Sequence, residues 1–326
     1  MTNHDELTQD SPEPETVPQT QKGHFELLPG RTRDEGFVAL AATPIGNVGD
    51  ASARLVGLLE TADIVAAEDT RRLYDLANRL EVRVGGRVVA YHDHNERAKA
   101  DGLLDEVERG AVVLVVSDAG MPTINDPGLA IVRRAIERGL PVTCAPGPSA
   151  VLDALALSGL PTDRFCYEGF VPRKHSERMQ RFRALLSEPR TVVLYETPHR
   201  IEETMEDLAS VFPPDRPMAL ARELTKDYEE VRRGTVGSLH DSVVEDPPRG
   251  ELVLVLQGAS EEELMSSPAG VGVLDVQALA SLALERSEQE KIRIKDAIAE
   301  VVVEHPLPDG SLINKKEVYN AVLALK

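Results

Sequence analysis

The segment from Ala111 to Ala150 constrains this chain most, because it holds two apolar runs that each end in a loop of small residues. Residues 111–116 form a short, continuous, valine-rich run, which is typical of a strand buried on both faces of a parallel sheet. The loop at 117–120 adds one hydroxyl and one carboxylate with little bulk, and ligands of open α/β sheets bind at such strand ends. Residues 141–145 predict a neighbouring strand, and the turn at 146–150 leads into a helix. The two loops either flank one ligand crevice or are ordinary strand-to-helix turns.

The chain has 326 residues, a length that favours two domains with further appended segments. Its apolar runs fall short of the roughly 18 residues that span a bilayer, and residues 1–21 lack the apolar centre of a signal peptide. We therefore expect a soluble, cytoplasmic protein. Cys144 and Cys166 are too few for a metal cluster or a disulfide framework, and both are predicted to be small buried residues.

The charge of the chain argues against non-specific binding to polyanions. The formal net charge is -19 and the isoelectric point is near 4.9, so nucleic acid would meet a repelling field. Residues 164–200 are an exception, with eight basic residues against four acidic ones. This cluster is either a local RNA-binding patch or the solvated face of an amphipathic helix.

The pattern along the chain divides it into five segments. Residues 1–35 are acidic and without periodicity, which predicts a disordered tail. Strands and helices alternate over 36–147, which predicts a parallel sheet, whereas successive strands over 148–258 predict a mixed or antiparallel sheet. Residues 259–275 are predicted to be an acidic linker. Residues 276–326 show two helical patterns, at about 290–303 and 315–325, and resemble a helix-turn-helix that either contacts RNA or packs as a plain hairpin.

The individual elements follow from the same patterns. Strands are predicted at 37–42, 64–67, 88–90, 111–116, 141–145, 165–168, 191–195, 218–221, 229–233 and 251–256. Helices of the two domains are predicted at 54–60, 129–138, 150–158, 176–186 and 201–211. Two further helices are predicted, one that begins at about residue 70 and one that ends at about residue 109.

Two classes of site are disfavoured by the motifs that the sequence contains. His92 and His94 would lie on one side of a strand with no evident third ligand, so we expect no metal site there. The sequence has neither G-x-G-x-x-G nor G-x-x-x-x-G-K-[ST], which weakens a dinucleotide or nucleoside-triphosphate interpretation.

A set of short motifs occurs in one order over about residues 37–258. They are Ala-Thr-Pro-Ile-Gly-Asn at 42–47, Ala-Glu-Asp-Thr-Arg at 67–71, Tyr-His-Asp-His-Asn-Glu at 91–96, Ser-Asp-Ala-Gly at 117–120, Pro-Gly-Pro-Ser-Ala at 146–150, Gly-Leu-Pro-Thr-Asp-Arg-Phe at 159–165, Glu-Gly-Phe-Val-Pro-Arg-Lys at 168–174, Tyr-Glu-Thr-Pro-His-Arg at 195–200 and Ala-Arg-Glu-Leu-Thr-Lys at 221–226. Together they resemble the tetrapyrrole methylase superfamily and, within it, its ribosomal RNA ribose methyltransferases.

The resemblance implies a two-domain α/β enzyme, usually a homodimer, that binds S-adenosylmethionine (SAM) in the cleft between its domains. It implies 2'-O-methylation of a cytidine in small-subunit (16S) ribosomal RNA. Small residues suit the cofactor site because backbone groups must reach the ligand. The residues implied to approach the cofactor are Thr43, Pro44, Gly46, Ser117, Asp118, Ala119, Gly120, Pro122, Ser149 and Ala150.

A ribose hydroxyl is a poor nucleophile until it is deprotonated, so a base is expected near the acceptor. The candidates are Glu68, Asp69, His94, Glu196, Glu223 and Lys226, of which Glu223, Lys226 and Glu68 are our predicted catalytic residues. Arg71, Arg173, Lys174 and Arg200 are predicted to bind RNA phosphates. For each of these residues a structural ion pair is the alternative.

Two other functions stay open at this point. The superfamily fold also serves methyltransferases of tetrapyrrole precursors, whose substrates would favour an apolar trough with arginines. The chain could also be a non-catalytic RNA-binding or ribosome-assembly module that keeps SAM as a structural ligand.

Overall fold

The first sheet is a five-stranded parallel sheet in a computed structural model, which describes residues 35–260, 263–264, 276–307 and 311–325. Its strands are β1 (Phe37–Ala41), β2 (Ile64–Ala67), β3 (Arg87–Ala90), β4 (Val112–Val116) and β5 (Val142–Ala145). Their order is β3-β2-β4-β1-β5. Strands β1, β2 and β4 are almost wholly buried, as their apolar and β-branched composition predicts.

Helices cover both faces of this sheet. Helices α1 (Ala53–Thr61) and α2 (Thr70–Arg79) pack on one face, and α3 (Glu96–Glu108) and α4 (Leu129–Glu137) pack on the other. The chain leaves β1 towards one face and the adjacent β4 towards the opposite face. The ends of β1 and β4 therefore form a topological switch point, where α/β sheets place their ligands.

The second sheet is mixed, as predicted. Its strands are β6 (Phe165–Phe170), β7 (Thr191–Glu196), β8 (Pro217–Arg222), β9 (Glu230–Thr235) and β10 (Leu252–Leu256), in the order β6-β7-β10-β8-β9. Strands β6 and β7 are parallel, and the other neighbours are antiparallel. Because β10 runs against β7 and β8, its first residue, Leu252, lies opposite Glu196 and Arg222 near the ends of those strands.

Four helices complete the second domain. Helix α5 (Ala150–Ser158) packs on the face of the sheet that carries Val193, Ala219 and Val253. Helices α6 (His175–Leu185), α7 (Ile201–Val211) and α8 (Val236–Glu245) cover the opposite face. Helix α8 was absent from the sequence prediction, although Thr235 and Ser238 form a capping box at its start.

The C-terminal segment has three described helices where the sequence predicted two. They are α9 (Val276–Glu290), α10 (Ile294–Glu304) and α11 (Lys315–Leu325), and they share one apolar core. The helix predicted at 290–303 begins only at Ile294, because Lys291 has a positive φ of 55° and Arg293 is extended. The predicted tail at 1–35, apart from residue 35, and most of the predicted linker at 259–275 lie outside the described residues.

Each of the ten predicted strands is present, with ends that differ by at most two residues. The prediction that both cysteines are buried was wrong. Cys144 is exposed and Cys166 is only partly buried, because each lies on an edge strand, β5 or β6, with a neighbour on one side only. Within the described residues, no helix is long and apolar enough to cross a membrane.

Candidate active site

The loops after β1 and β4 are joined at the switch point by a short backbone bridge. The Thr43 N–H donates to the Gly120 carbonyl over 2.9 Å, and the Gly120 N–H donates to the Thr43 carbonyl over 3.0 Å. The buried Thr43 hydroxyl donates to the Ser117 carbonyl over 3.2 Å. Gly120 has a φ of 82°, a conformation that favours glycine. The small residues thus allow two strand ends to meet.

A cavity of about 670 Å³ opens beside this bridge, where the strand ends of the two sheets face each other. Its volume lies in the range of small-molecule sites. The first sheet and the start of α5 contribute Ile45, Glu68, Asp118, Ala119, Gly120, Met121, Ile124, Asn125, Asp126, Ser149 and Ala150. The second sheet contributes Phe170, Tyr195, Glu196, Thr197, Pro198, Glu223, Gly250, Glu251, Leu252 and Val253.

The predicted cofactor residues all lie at or beside this cavity. Those that line it are Asp118, Ala119, Gly120, Ser149 and Ala150. Those that lie outside the lining are Thr43, Pro44, Gly46, Ser117 and Pro122. Each of these is close in sequence to a lining residue, and all but Gly46 are buried, so they support the loops from behind.

Two polar contacts join the loops of the first sheet to the second domain. The Asn47 N–H donates to Thr225 Oγ1 over 3.1 Å, and Asn125 Nδ2 donates to the Tyr167 hydroxyl over 2.6 Å. At Gly46 a Cβ would come within 2.8 Å of Thr225 Oγ1, so the close approach of these loops requires glycine. The contacts hold the two walls of the cavity together.

Glu223 lines the cavity, and structural partners surround it. Its carboxylate accepts hydrogen bonds from the Glu251 N–H over 2.9 Å and from Lys226 Nζ over 3.0 Å. The Glu251 N–H bond, together with Lys226, lowers the pKa of Glu223. Lys226 also pairs with Glu251 over 3.1 Å and lies outside the lining. A carboxylate held in this way is a weaker proton acceptor than an ordinary one.

The carboxylates of the first sheet lie in a different environment. Glu68 accepts a hydrogen bond from the Asp118 N–H over 3.1 Å, and burial raises its pKa despite that bond. Asp118 accepts from the Asp69 N–H over 3.0 Å and pairs with Arg72 over 3.4 Å.

Asp126 is a cavity residue that the sequence analysis missed. Burial, followed by the negative charge of Glu68, raises the pKa of Asp126 to about 7, and the nearby Ser117 hydroxyl acts in the opposite direction. Its sequence context, Asn-Asp-Pro-Gly at 125–128, has the composition of an ordinary turn. The one available signal was its position in the loop that follows β4.

The other three candidate bases are held in contacts with neighbouring protein groups. Asp69 caps α2 and binds Arg71 over 2.6 Å. His94 is exposed, with its ring against His92. Glu196 is fully buried and binds both Arg200 and the Thr204 hydroxyl over 2.6 Å. In the part of the chain that the structure describes, no cluster of three or more His, Cys, Asp or Glu residues could hold a metal ion.

The four predicted RNA-binding residues follow lining residues by two to four positions, outside the cavity. The Arg71 and Lys174 side chains are 89% and 77% exposed and pair with nearby acids, and Arg173 is also exposed. The Arg200 side chain is only 18% exposed, and it binds Glu196 and the Val171 carbonyl. Arg200 is therefore the least available of the four for a phosphate.

Comparison with known proteins agrees with this architecture. Residues 38–240 match the model of the family described as Tetrapyrrole (Corrin/Porphyrin) Methylases. A protein of Mycobacterium bovis named ribosomal RNA small subunit methyltransferase I is 43% identical over 88% of this chain and 95% of its own length. The protein of that name from Escherichia coli O157:H7 is also 43% identical, over 78% of this chain and 86% of its own.

Two solved structures share the fold. The methyltransferase CobJ has a TM-score of 0.52 at 20% identity, and covers 69% of this chain and 95% of its own. Diphthine synthase has a TM-score of 0.51 at 18% identity, and covers 68% of this chain and 89% of its own. The family match over residues 38–240 and the relatives at 43% identity show that the chain belongs to the tetrapyrrole methylase family, within the group of methyltransferases named ribosomal RNA small subunit methyltransferase I.

Proposed function

We propose that this enzyme transfers the methyl group of SAM to the 2'-oxygen of a cytidine in small-subunit (16S) ribosomal RNA. The observation that carries the proposal is the charge of the cavity. Its described lining contains six carboxylates and no Lys, Arg or His: Glu68, Asp118, Asp126, Glu196, Glu223 and Glu251. Such a lining suits a cationic ligand, and SAM carries positive charge on its sulfonium and ammonium groups.

The residues present fit SAM. The loops at 117–120 and 149–150 have small side chains, which allow a ligand with several polar atoms to approach the backbone closely. When bound, SAM supplies an electrophilic methyl group. The chain contributes alignment in a cleft shielded from water, an effect that can be worth roughly 7–11 kcal/mol for well-oriented reactants.

The same charge limits how RNA approaches. Phosphates are repelled by the acidic lining, so the sugar of one nucleotide enters while the backbone stays at the rim. Arg71, Arg173 and Lys174 are exposed, follow the lining residues Glu68 and Phe170 by three to four positions, and are our proposed phosphate contacts.

The net charge of -19 favours an assembled small subunit over naked RNA as the substrate, because protein contacts and shape can then replace general electrostatic attraction. A ribosomal substrate also places the enzyme in the cytoplasm. We propose a homodimer as well, since α5 and the edge strand β6 expose Leu152, Leu157 and Phe165. Sedimentation equilibrium would test this, and a monomer at micromolar concentration would contradict it.

Methylation of a tetrapyrrole precursor is the second candidate, and the cavity favours it less. Such precursors carry several carboxylates, which would face the six carboxylates of the lining without a basic side chain among the described residues there.

The function is tested by transfer of labelled methyl from SAM to purified small ribosomal subunits that lack this modification, with naked 16S RNA alongside. Nuclease mapping identifies the labelled nucleoside. We expect 2'-O-methylcytidine, with more label on the assembled subunit than on naked RNA. SAM binding without label on either substrate would contradict the proposal, and transfer to a tetrapyrrole precursor would replace it with the second candidate.

A further inference from the structure

We propose that Asp126 is the catalytic base, whose carboxylate accepts the proton of the ribose 2'-hydroxyl during methyl transfer. The proposal rests on the proposed function and adds a residue to its mechanism. Asp126 lines the cavity from the loop that joins β4 to α4, next to the bridge at the switch point. This loop also reaches the second domain through Asn125 and Tyr167, so it lies where both walls of the cavity meet.

The carboxylates of the second domain already have structural partners. Glu196 is fully buried in its ion pair with Arg200. Glu223 accepts hydrogen bonds from the Glu251 N–H and from Lys226 Nζ. The Glu251 side chain pairs with Lys226 and is 77% exposed. Protonating any of these groups would break an ion pair, which makes them poor proton acceptors.

Two first-domain carboxylates are also engaged. Asp118 accepts the Asp69 N–H and pairs with Arg72, and Glu68 accepts the Asp118 N–H. Asp126 differs because, among the described residues, its carboxylate has neither an ion pair nor a hydrogen bond from a backbone N–H. Its carboxylate can therefore take a proton without losing a salt bridge.

The surroundings of Asp126 adjust its proton affinity. The ionisable groups that act on it from the neighbouring strand ends are Glu68, Asp93 and Asp118, and it acts in turn on Tyr167 and Tyr195. Burial and these negative charges raise the pKa of Asp126 to about 7, and a base in that range is effective near neutral pH. Burial also raises the pKa of both tyrosines, which leaves them as neutral phenols.

A lone pair of the 2'-oxygen forms the new bond to the methyl carbon, and the carbon–sulfur bond breaks with its electron pair on sulfur, which becomes a neutral thioether. The hydroxyl proton passes to the Asp126 carboxylate and then to solvent. No oxidant or further reactant is required.

The test is single-turnover methylation of small subunits by Asp126→Asn at saturating SAM. We expect the rate constant to fall on the order of 10²- to 10⁴-fold, the range for loss of a general base, with SAM affinity within a few-fold of wild type. Asp153→Asn is the matched control, because burial also raises the pKa of this aspartate, which lies on α5 outside the cavity lining. The control is expected to keep the wild-type rate.

A wild-type rate in Asp126→Asn would overturn the inference, and so would a deficit that higher SAM concentrations restore. If the variant does not fold, the pH dependence of the wild-type rate decides instead. We expect the rate to fall with decreasing pH, with a midpoint at or below about 7, since bound cationic SAM lowers the pKa of Asp126. A flat profile between about pH 5 and pH 9 would refute the base. Absence of transfer by the wild-type enzyme would refute the proposed function, and the inference with it.

Discussion

The two walls of the cavity differ in how many of their carboxylates are paired with a cation. On the second-domain wall, Glu196 and Glu223 each bind a cation, Arg200 and Lys226 respectively. On the first-domain wall, Glu68 and Asp126 have no ion pair within the described ranges, and burial raises the pKa of both. Negative charge on the second-domain wall is therefore compensated by cations, whereas on the first-domain wall only Asp118 has an ion pair, with Arg72, and the charges of Glu68 and Asp126 are available to a ligand.

This difference shows why a carboxylate next to a basic residue in sequence is a poor guide to catalysis. Glu223 and Lys226 were predicted to be catalytic from the motif Ala-Arg-Glu-Leu-Thr-Lys at 221–226, and in the structure they bind each other. Asp126 has no basic residue nearby in sequence, and its environment is set by groups at the ends of other strands.

The largest effect is expected for the buried ion pair of the second-domain wall. Glu196→Gln removes the charge that compensates Arg200, and breaking a buried pair costs about 3–5 kcal/mol. The measurement is urea-induced unfolding, with the exposed Glu202→Gln on α7 as the control of the same chemical type. Equal stability of the two variants would contradict a structural role for the Glu196 carboxylate.

One glycine on each wall offers a second comparison. Gly250 has a φ of 92°, and a Cβ there would overlap the Glu223 carboxylate, so Gly250→Ala adds a steric clash to backbone strain of about 1–3 kcal/mol. At Gly120 the nearest atoms to such a Cβ are 3.6 and 3.9 Å away, so Gly120→Ala carries only the strain of a positive φ, about 1–2 kcal/mol. Unfolding midpoints should therefore rank wild type, then Gly120→Ala, then Gly250→Ala. The reverse order of the two variants would contradict the close packing of Gly250 against Glu223.

The smallest effect concerns the pH dependence of stability, to which Asp126 and Glu223 contribute with opposite signs. Asp126 has a raised pKa. The stability contributed by its neutral form is therefore fully present below about pH 4 and is lost as the pH rises through about 7. Glu223 has a lowered pKa, so its contribution is present above its ordinary value of 4.5 and is lost as the pH falls through the lower folded-state value.

Melting temperatures at several pH values measure this difference. At about pH 8, Asp126→Asn should melt a few degrees above wild type because it removes a buried charge, and the gain should shrink near pH 4. Glu223→Gln should melt below wild type at about pH 7, and its deficit should shrink in acid. Shifts of the same sign for both variants at neutral pH would refute the contrast between the walls.

Much of the framework could be predicted from local sequence. Short apolar runs, most of them rich in β-branched residues, marked the strands, and the alternation with helices correctly predicted a parallel first sheet and a mixed second one. Small residues after β4 and before α5 correctly marked loops that line a cavity. Helix α9 and the break after it escaped prediction, because the break depends on the positive φ of Lys291 and the extended backbone of Arg293, which the residue types there do not mark.

The sequence alone determined the two sheets, the small-residue loops and the family, because hydrophobic periodicity and short motifs are local properties of the chain. The tertiary structure decided which carboxylates of the cavity are paired with cations and which are not. Arg200 pairs with its neighbour Glu196 within one turn of chain, whereas Glu68, Asp118 and Asp126 come together only because β2 and β4 are adjacent and parallel. Electrostatic environment depends on distance in space and on burial, and neither quantity can be read from spacing along the chain.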